Sequence, residues 1–392
     1  MYSEVVLVFS PFRTKIYRDC VMISCFLRLA KVAIFLLFSL SIVIENVYAE
    51  KMKVAFINPT HLNDPFWSMV TNFMQSAATD LDIELQVYYS QRNRFKTLEI
   101  AQEILESPNK PDYLVFHFQA QMGARILQAA EDVRVYSFVI NNNIPVSDRQ
   151  DIGKPRDKFK YWLGHMQPED QRAGYLLAST LVEKAIELKK IADDGKVHMI
   201  GLTGTSDNTA SGDRNKGAQE FVSQRSDVIL HQIVNASWDK EKAANATQVL
   251  MERYPKTSVV WSASDVMSLG AIEALKELEL HAGKDVLVGG IDGSLQGMEA
   301  VSLGAMAATV SGHFIEGAWA MVLLYDHNYG VDFVDELGTD IHSKMEVIRA
   351  ENITPYLDLL KPDYIDQIDF KSYSKVANSK LKRYQLTLPD ED

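Results

Sequence analysis

Polar and aromatic residues that could bind a ligand follow the first predicted strand of this 392-residue chain. Asp64 is followed closely by Phe66 and Trp67. A carboxylate accepts hydrogen bonds from hydroxyl groups, and aromatic rings cover the CH-rich faces of sugar rings. The alternative is structural: Asp64 caps a helix that Pro65 begins, and the aromatic pair is buried in its first turn. Because the polar and aromatic residues occur together, we expect a ligand-binding group.

Four further candidates follow later predicted strands. Arg214 lies near a helix start and offers a rigid fork of donors for hydroxyls or a carboxylate, so we expect Arg214→Ala to abolish binding with little loss of fold. Trp238 either stacks on a ligand or belongs to the core. Asp265 either contacts a ligand or caps the next helix. Asp292 lies between glycines that allow close approach to the backbone, or it is a turn residue.

The same residues offer little for catalysis. Asp64, Asp265 and Asp292 could supply two carboxylates for glycoside hydrolysis, but nothing in the sequence separates an acid from a base. A Gly-x-Ser-x-Gly nucleophile motif does not occur. The histidines do not show a tight metal-ligand spacing; they include His61, His117, His165 and His313. We therefore expect no enzyme, no catalytic residues, no metal and no cofactor.

From residue 53 onward, short apolar strands alternate with amphipathic helices in about nine units, which predicts parallel sheets covered by helices on both faces. Nine strands are more than a single sheet usually contains. The polar stretch 141–160 indicates a boundary, so the predicted fold is α/β with two doubly wound parallel-sheet lobes. Ligands of such sheets bind beyond the carboxyl ends of the strands. The expected site is therefore the cleft between the lobes.

Residues 1–49 have the pattern of a cleavable signal peptide for export. Arg28 and Lys31 precede an apolar run over 32–43, and Ala49 offers a small residue for cleavage. The run is shorter than the roughly 20 residues that span a bilayer, although an uncleaved membrane anchor is the alternative. Met22 would give a signal of ordinary length, which makes it a candidate for the true translation start.

Charge and cysteine content remove other function classes. The formal charge is −12, which argues against a nucleic-acid partner, since such proteins usually carry a basic patch. Both cysteines, Cys20 and Cys25, lie in the expected signal peptide. The exported chain would therefore have neither a catalytic thiol nor a cysteine metal site.

Several motifs in order carry a resemblance to a known family. They are Asp64-Pro65-Phe66-Trp67, the helix start at Arg214, Ser237-Trp238-Asp239, Ser264-Asp265 before Leu269-Gly270-Ala271, and Gly290-Ile291-Asp292-Gly293. Over residues 52–345 the chain resembles the type I periplasmic binding proteins of the ribose- and galactose-binding branch, and especially its autoinducer-binding members. The resemblance implies that Ser264 also faces the ligand. By position it adds His117, Asn141 and His313.

The resemblance also implies a hinge of three crossovers, placed near residues 164–168, 311–313 and 338–343. The expected N-lobe is 51–165 plus 313–340, and the expected C-lobe is 166–312 plus the tail 341–392. The chain differs from the ribose binders, which have Asn at the positions of Asp64 and His117. Asn141-Asn142-Asn143 replaces a common Asp-Arg pair. The pocket is therefore related to that of the ribose binders but differently tuned.

Three functions remain open. The first is a periplasmic protein, monomeric when free, that closes around a small sugar, polyol or furanosyl signal and delivers it to the membrane permease of an ABC transporter. The second is a receptor of the same fold whose partner is a membrane sensor kinase or cyclase. The third, a secreted glycosidase, requires catalysis that the sequence does not indicate.

Overall fold

The structure of the chain is a computed structural model that describes residues 50–387. The expected signal peptide lies outside the described residues. From Met52 onward the chain forms one compact unit. Its strands are β1 Lys53–Asn58, β2 Glu84–Tyr89, β3 Tyr113–Phe116, β4 Tyr136–Ile140, β5 Trp162–Pro168, β6 Val197–Thr203, β7 Val228–Asn235, β8 Thr257–Ser262, β9 Leu287–Ile291, β10 Ala308–Ser311, β11 Asp340–Ser343 and β12 Glu346–Ile348.

Helices lie between most of these strands. The α-helices are α1 Pro65–Asp80, α2 Arg94–Glu106, α3 Met122–Val133, α4 Val146–Ile152, α5 Asp170–Glu187, α6 Thr209–Ser223, α7 Lys240–Arg253, α8 Asp265–Glu277, α9 Leu295–Ser302, α10 Glu316–Asn328, α11 Val334–Leu337, α12 Thr354–Leu359 and α13 Pro362–Ile365. Two 3-10 turns cover His313–Ile315 and Phe370–Tyr373.

The strands form two sheets of six, which confirms the predicted two-lobed α/β fold. The first sheet has the order β11-β5-β4-β3-β1-β2, and every neighbouring pair is parallel. The second has the order β12-β10-β9-β8-β6-β7, and its edge strand β12 is antiparallel to β10. Such sheets need apolar cover on both faces. In the first lobe α1 packs on α10, while α2 packs on α3 against a separate core.

The connection β1–loop–α1 shows why the site forms at this edge of the sheet. β1 is almost wholly buried. Asp64 then caps α1 by accepting the Trp67 N–H at 3.0 Å, and Pro65 occupies the first turn, where it needs no hydrogen bond. The buried face of α1 includes Val70 and Phe73. The cap fixes where the helix begins, and the loop before it lies at the carboxyl end of β1.

The three crossovers that the resemblance implies are present, and their positions differ slightly from those expected. β5 remains in the first sheet to Pro168, so the first crossover precedes α5. β11 also pairs with β5 in the first sheet, so the third crossover lies after Ser343 rather than within residues 338–343. The second follows β10, at Gly312. The expected lobe boundary at 165 therefore divides β5, and the one at 340 divides β11.

The C-terminal segment returns to the first lobe, whereas the sequence placed it with the second. Ile353 and Tyr356 pack on the second-lobe core, but Phe370 and Tyr373 pack on the first. The buried carboxylate of Asp326 in α10 anchors the return by accepting the Lys375 N–H at 2.7 Å, the Val376 N–H at 3.2 Å and the Tyr384 hydroxyl at 2.8 Å. The chain thus passes between the lobes a fourth time.

The three crossovers pack against one another. Glu169 donates its N–H to the Ser343 carbonyl at 3.1 Å, which joins the first crossover to the third. Gly312 has φ +131°, and a Cβ there would lie 2.6 Å from the Lys344 carbonyl oxygen. Only glycine combines this backbone angle with so close an approach. The second and third crossovers therefore lie in direct contact.

A buried carboxyl lies beside these crossovers. Glu316 is fully buried at the start of α10, and its Oε1 accepts a hydrogen bond from the Ser343 hydroxyl. Burial raises the pKa of Glu316 to about 8; the hydrogen bonds from Ser343 and Asn141 oppose this rise, and the negative charge of Asp170 adds to it. The group therefore holds its proton at neutral pH.

We predict that Glu316→Gln flattens the pH dependence of stability. The pKa of Glu316 is about 8 in the folded chain, against 4.5 for an unperturbed glutamate side chain. The folded state thus holds the extra proton, and its stability falls as pH rises from 4.5 towards 8, by up to about 1.4 kcal/mol per pH unit. The measurement is urea unfolding at several pH values, with the exposed Glu99→Gln as control. An unchanged slope in Glu316→Gln would contradict the assignment.

Candidate functional site

A cavity of about 600 Å³ lies between the lobes, at the carboxyl ends of the strands. Its wall contains residues from the loops that follow β1, β3, β4, β6, β7, β8 and β9. This is the edge at which a doubly wound sheet binds ligands. Nine of the eleven residues predicted from sequence line it: Asp64, Phe66, Trp67, His117, Asn141, Arg214, Trp238, Ser264 and Asp292.

Aromatic rings form one side of the cavity. Phe66 and Trp67 meet edge to face with their centroids 5.5 Å apart, and Trp67 meets the imidazole of His117 in the same manner at 5.3 Å. From the second lobe, the Trp238 ring lies over the backbone of Gly204, where a Cβ would be 1.8 Å from the indole. Such faces suit the CH surfaces of a small ring.

Arg214 forms the centre of the polar side. It is 4% exposed. Its Nε donates to Asp170 Oδ1 at 2.7 Å, and its Nη1 donates to the Ala263 carbonyl at 2.7 Å and to Asp292 Oδ1 at 3.3 Å. The Nη2 lies 3.1 Å from His313 Nε2. A buried cation needs this degree of pairing, because an isolated charge in an apolar interior is unstable.

The surroundings of Arg214 shift the ionisation of its partners. Burial raises the pKa of Asp292; Arg214 opposes the rise, and the charges of Asp265 and Asp64 add to it. Burial lowers the pKa of His313 well below its usual value, and Arg214 lowers it further. His313 is therefore neutral, and its Nε2 can accept the hydrogen bond from Arg214.

His117 presents an unused polar atom beside the cavity. It is 5% exposed, and its Nδ1 is buried without a hydrogen-bond partner. Burial lowers the pKa of His117 to about 4, against a smaller opposing effect of Asp207. A neutral imidazole offers one donor and one acceptor. Because unsatisfied buried polar atoms are unfavourable, a ligand hydroxyl is a suitable partner for this nitrogen.

Two predicted residues do not line the cavity. Asp265 is fully buried, and its carboxylate accepts from the Ser294 N–H at 2.8 Å and the Thr309 hydroxyl at 2.6 Å. The helix cap is its neighbour Ser264, whose hydroxyl accepts from Met267 N–H at 3.4 Å. Sequence alone does not separate these adjacent capping residues. Asp265 therefore fastens the loop around Ser294 and does not face the cavity.

His313 is likewise fully buried, behind the wall. Its ring stacks on Phe66 with centroids 4.5 Å apart. Its carbonyl accepts a hydrogen bond from the side chain of Asn141 at 3.2 Å. His313 thus supports two wall residues, Phe66 and Asn141, from the second crossover, and it also contacts Arg214.

A group of wall residues after β2 and β6 was not predicted from the sequence. They include Arg92, Asn93, Arg94, Phe95, Asp207 and Asn208. The sequence predicts a strand over residues 85–89, and the rule that selected Asp64 applies equally to the polar run after it. That rule could have predicted Arg92. Its contact with the Trp238 carbonyl, in contrast, depends on how the two lobes meet.

The charges on the wall are paired. Arg92 Nη2 lies 2.9 Å from Asp64 Oδ2, and Arg94 lies 3.8 Å from Asp207. Arg214 is paired with Asp292 and with Asp170 behind the wall. Each arginine of the wall therefore has an aspartate partner. An anionic ligand would have to compete for these cations, whereas a neutral ligand would not.

Direct hydrogen bonds join the two lobes beside the cavity. Asn142 Oδ1 accepts from the Thr209 hydroxyl and from the Ala210 N–H, the latter at 3.3 Å. The Asn142 amide donates to the Phe118 carbonyl at 2.6 Å, which holds the side chain in place. At another point, Arg92 Nη1 donates to the Trp238 carbonyl at 3.1 Å. The structure therefore shows the lobes closed against each other at these contacts.

Two other features are absent from residues 50–387. No group of three or more His, Cys, Asp or Glu side chains is arranged to hold a metal ion. Within the same residues, every helix falls short of the length and apolar character needed to cross a membrane.

The structure changes the expectation for Arg214→Ala. The sequence suggested little loss of fold, but the guanidinium neutralises two buried carboxylates, Asp170 and Asp292. We now predict that Arg214→Ala lowers the free energy of unfolding by about 3–5 kcal/mol, because it leaves buried charges unpaired. Denaturant unfolding measures the loss, and the exposed Arg125→Ala serves as control. Equal stability of both variants would show that the aspartates are neutral or hydrated in the parent.

Comparisons with solved structures agree with this geometry. The chain is similar to a periplasmic sugar-binding protein from Pseudomonas fluorescens, with a TM-score of 0.77 and 29% sequence identity, covering 86% of this chain and 98% of that one. A galactofuranose binding protein shares the fold at a TM-score of 0.67 and 19% identity, covering 79% of this chain and 98% of the other.

Comparisons of sequence agree as well. The chain is 27% identical over 252 residues to the ribose import binding protein RbsB of Salmonella typhimurium, covering 64% of this chain and 76% of that protein. The periplasmic binding protein domain model matches residues 54–330. This confirms the resemblance seen in the sequence motifs. The chain belongs to the periplasmic binding protein family, in the branch that contains the ribose-binding proteins.

Proposed function

We propose that the protein binds a small neutral polyhydroxy compound, meaning a sugar, a polyol or a furanosyl signal, in the cleft between its lobes. The pairing of every wall arginine with an aspartate carries the proposal. Such pairs keep acceptor oxygens and donor N–H groups available to hydroxyls while leaving no excess charge for an ionic ligand. His117 Nδ1 adds a further unused atom.

The aromatic residues supply the other half of sugar recognition. Phe66, Trp67 and Trp238 come from both lobes. A ring held among them would be covered on its apolar faces, and its hydroxyls would lie towards the charged pairs. Because the aromatic residues come from different lobes, a ligand that touches both favours the closed arrangement.

We further propose that the bound compound is delivered to the permease of an ABC transporter, and that no catalytic step occurs. The named relatives are binding proteins, one of them for ribose import. Of the three carboxylates considered for hydrolysis, Asp265 is saturated by donors away from the cavity. The family supports a periplasmic location, with residues 1–49 as the export signal.

A sensory role uses the same binding step and differs in the membrane partner. Deleting the gene separates the two roles. Transport predicts that the deletion strain loses uptake of the radiolabelled compound. Sensing predicts that uptake continues while a response to the compound is lost. Retained uptake would overturn delivery and leave binding in place.

We predict that a thermal-shift screen of the purified full-length protein against neutral monosaccharides and polyols gives a stabilising compound. A ligand at 100 times its Kd adds about 2.7 kcal/mol of stability. Trp238→Ala should weaken that binding by about 1–3 kcal/mol if the ring stacks on the ligand. The exposed Tyr329→Ala is the matched aromatic control. An unchanged affinity in Trp238→Ala would return this ring to a structural role.

A further inference from the structure

From the contacts between the lobes, we infer that Arg92 is a positioning residue that sets the closed geometry of the cleft. This inference rests on the proposed function for its effect on affinity, but the contact itself does not depend on any ligand. Arg92 Nη2 is bound to Asp64 Oδ2 at 2.9 Å within the first lobe, and Nη1 donates to the Trp238 carbonyl at 3.1 Å in the second lobe. One guanidinium thus connects two cavity residues across the cleft.

The two halves of this bridge have different consequences. The Asp64 contact lies within one lobe, so it holds the guanidinium in place whether the cleft is open or closed. The Trp238 contact exists only when the lobes meet. Because Arg92 has 38% of its side chain exposed, water replaces the lost contact on opening. The bond to Trp238 therefore stabilises the closed arrangement selectively, which is the requirement for a shift in population.

Both ends of the bridge are held in an uncommon backbone conformation. Gln91 and Arg92 have φ values of 57° and 58°, and Ser237 and Trp238 have φ values of 55° and 58°. Non-glycine residues adopt this region rarely, and they persist there when the surroundings fix them. The Arg92 N–H donates to the Pro59 carbonyl at 2.8 Å, which ties this turn to the loop before Asp64.

The turns follow β2 and β7, which are the edge strands of their sheets. They therefore meet at the same side of the cavity, away from the crossovers. Trp238 is further fixed by packing over Gly204, and its ring lies 5.8 Å from the Arg214 guanidinium. Because these contacts hold Trp238 within the second lobe, closing the Arg92 bridge brings an already fixed Trp238 towards the wall of the first lobe. This is how Arg92 acts on binding through Asp64 and Trp238.

The chain is well suited to a test by distance measurement without ligand. Its cysteines are Cys20 and Cys25, so Cys20→Ser and Cys25→Ser give a cysteine-free background in the full chain. Spin labels at Glu103→Cys in α2 and Val249→Cys in α7 lie on exposed positions of the helices that follow β2 and β7. Pulsed electron paramagnetic resonance then reports the separation of the two lobes on the side of the bridge.

The parent is expected to show a population of short distances between the labels. Arg92→Gln should reduce the ratio of short to long distances by roughly three- to tenfold, because it loses a partly exposed hydrogen bond made by a charged group. Arg92→Lys keeps a cation for Asp64 but offers one nitrogen, so it should also lose the bridge. Arg125→Gln, an exposed arginine on α3, should leave the distances unchanged.

An unchanged distribution in Arg92→Gln would overturn the inference, and so would a parent that shows only long distances. A thermal melt of each variant checks that the fold is intact, so a change in distance is not a loss of folding. For a sugar found by the thermal-shift screen, Arg92→Gln should raise koff with little change in kon. A blank sugar screen would count against the proposed function and leave the distance result interpretable.

Discussion

The buried cluster of Arg214 with Asp170 and Asp292 is the interaction on which the rest of the site depends. Asp170 begins the helix after the first crossover, while Asp292 follows a strand of the second sheet. The guanidinium holds both at hydrogen-bonding distance and also binds the Ala263 carbonyl. These contacts decide where the cavity wall lies. They also explain why Arg214 is buried, although it was chosen from the sequence as a ligand-binding group.

A buried charge is unfavourable unless an opposite charge lies beside it, and the contacts of Arg214 extend to the hinge. His313 of the second crossover contacts Arg214 and stacks on Phe66. Glu316, one helical turn further on, remains protonated at neutral pH because it is buried close to Asp170. Direct contacts thus join the Arg214 cluster of the second lobe to the aromatic residues of the first lobe and to the crossovers. The ligand cavity lies directly beside it.

The sequence predicted the fold and nine residues of the cavity wall, because local signals were strong there. Asp64 followed by Pro65 is a typical helix start, and the strand before it is apolar over residues 54–57. β5 was missed because its sequence, WLGHMQP, contains Gly, His, Gln and Pro rather than β-branched residues. Its place in the sheet comes from burial between β4 and β11.

Other features depend on contacts between distant parts of the chain. Ser264 and Asp265 are adjacent residues of types that can cap a helix, and only the position of the Ser294 loop decides that Ser264 is the cap and that Asp265 turns inward. The tail returns to the first lobe because the carboxylate of Asp326, almost fifty residues earlier, accepts hydrogen bonds from the Lys375 and Val376 N–H groups. The bridge of Arg92 to Trp238 joins residues 146 positions apart. No periodicity or motif in the sequence records such pairings.

The match of the cavity to a neutral polyhydroxy ligand can be tested by isothermal titration calorimetry with a pair of ligands that share one sugar and differ in charge. The pair consists of the neutral sugar that stabilises the protein most and the phosphate ester of the same sugar. We expect the sugar to bind and its ester to bind at least about 100-fold more weakly. Each wall arginine already has an aspartate partner, so the added charge of the ester would be buried without one. Equal or tighter binding of the ester would contradict the account.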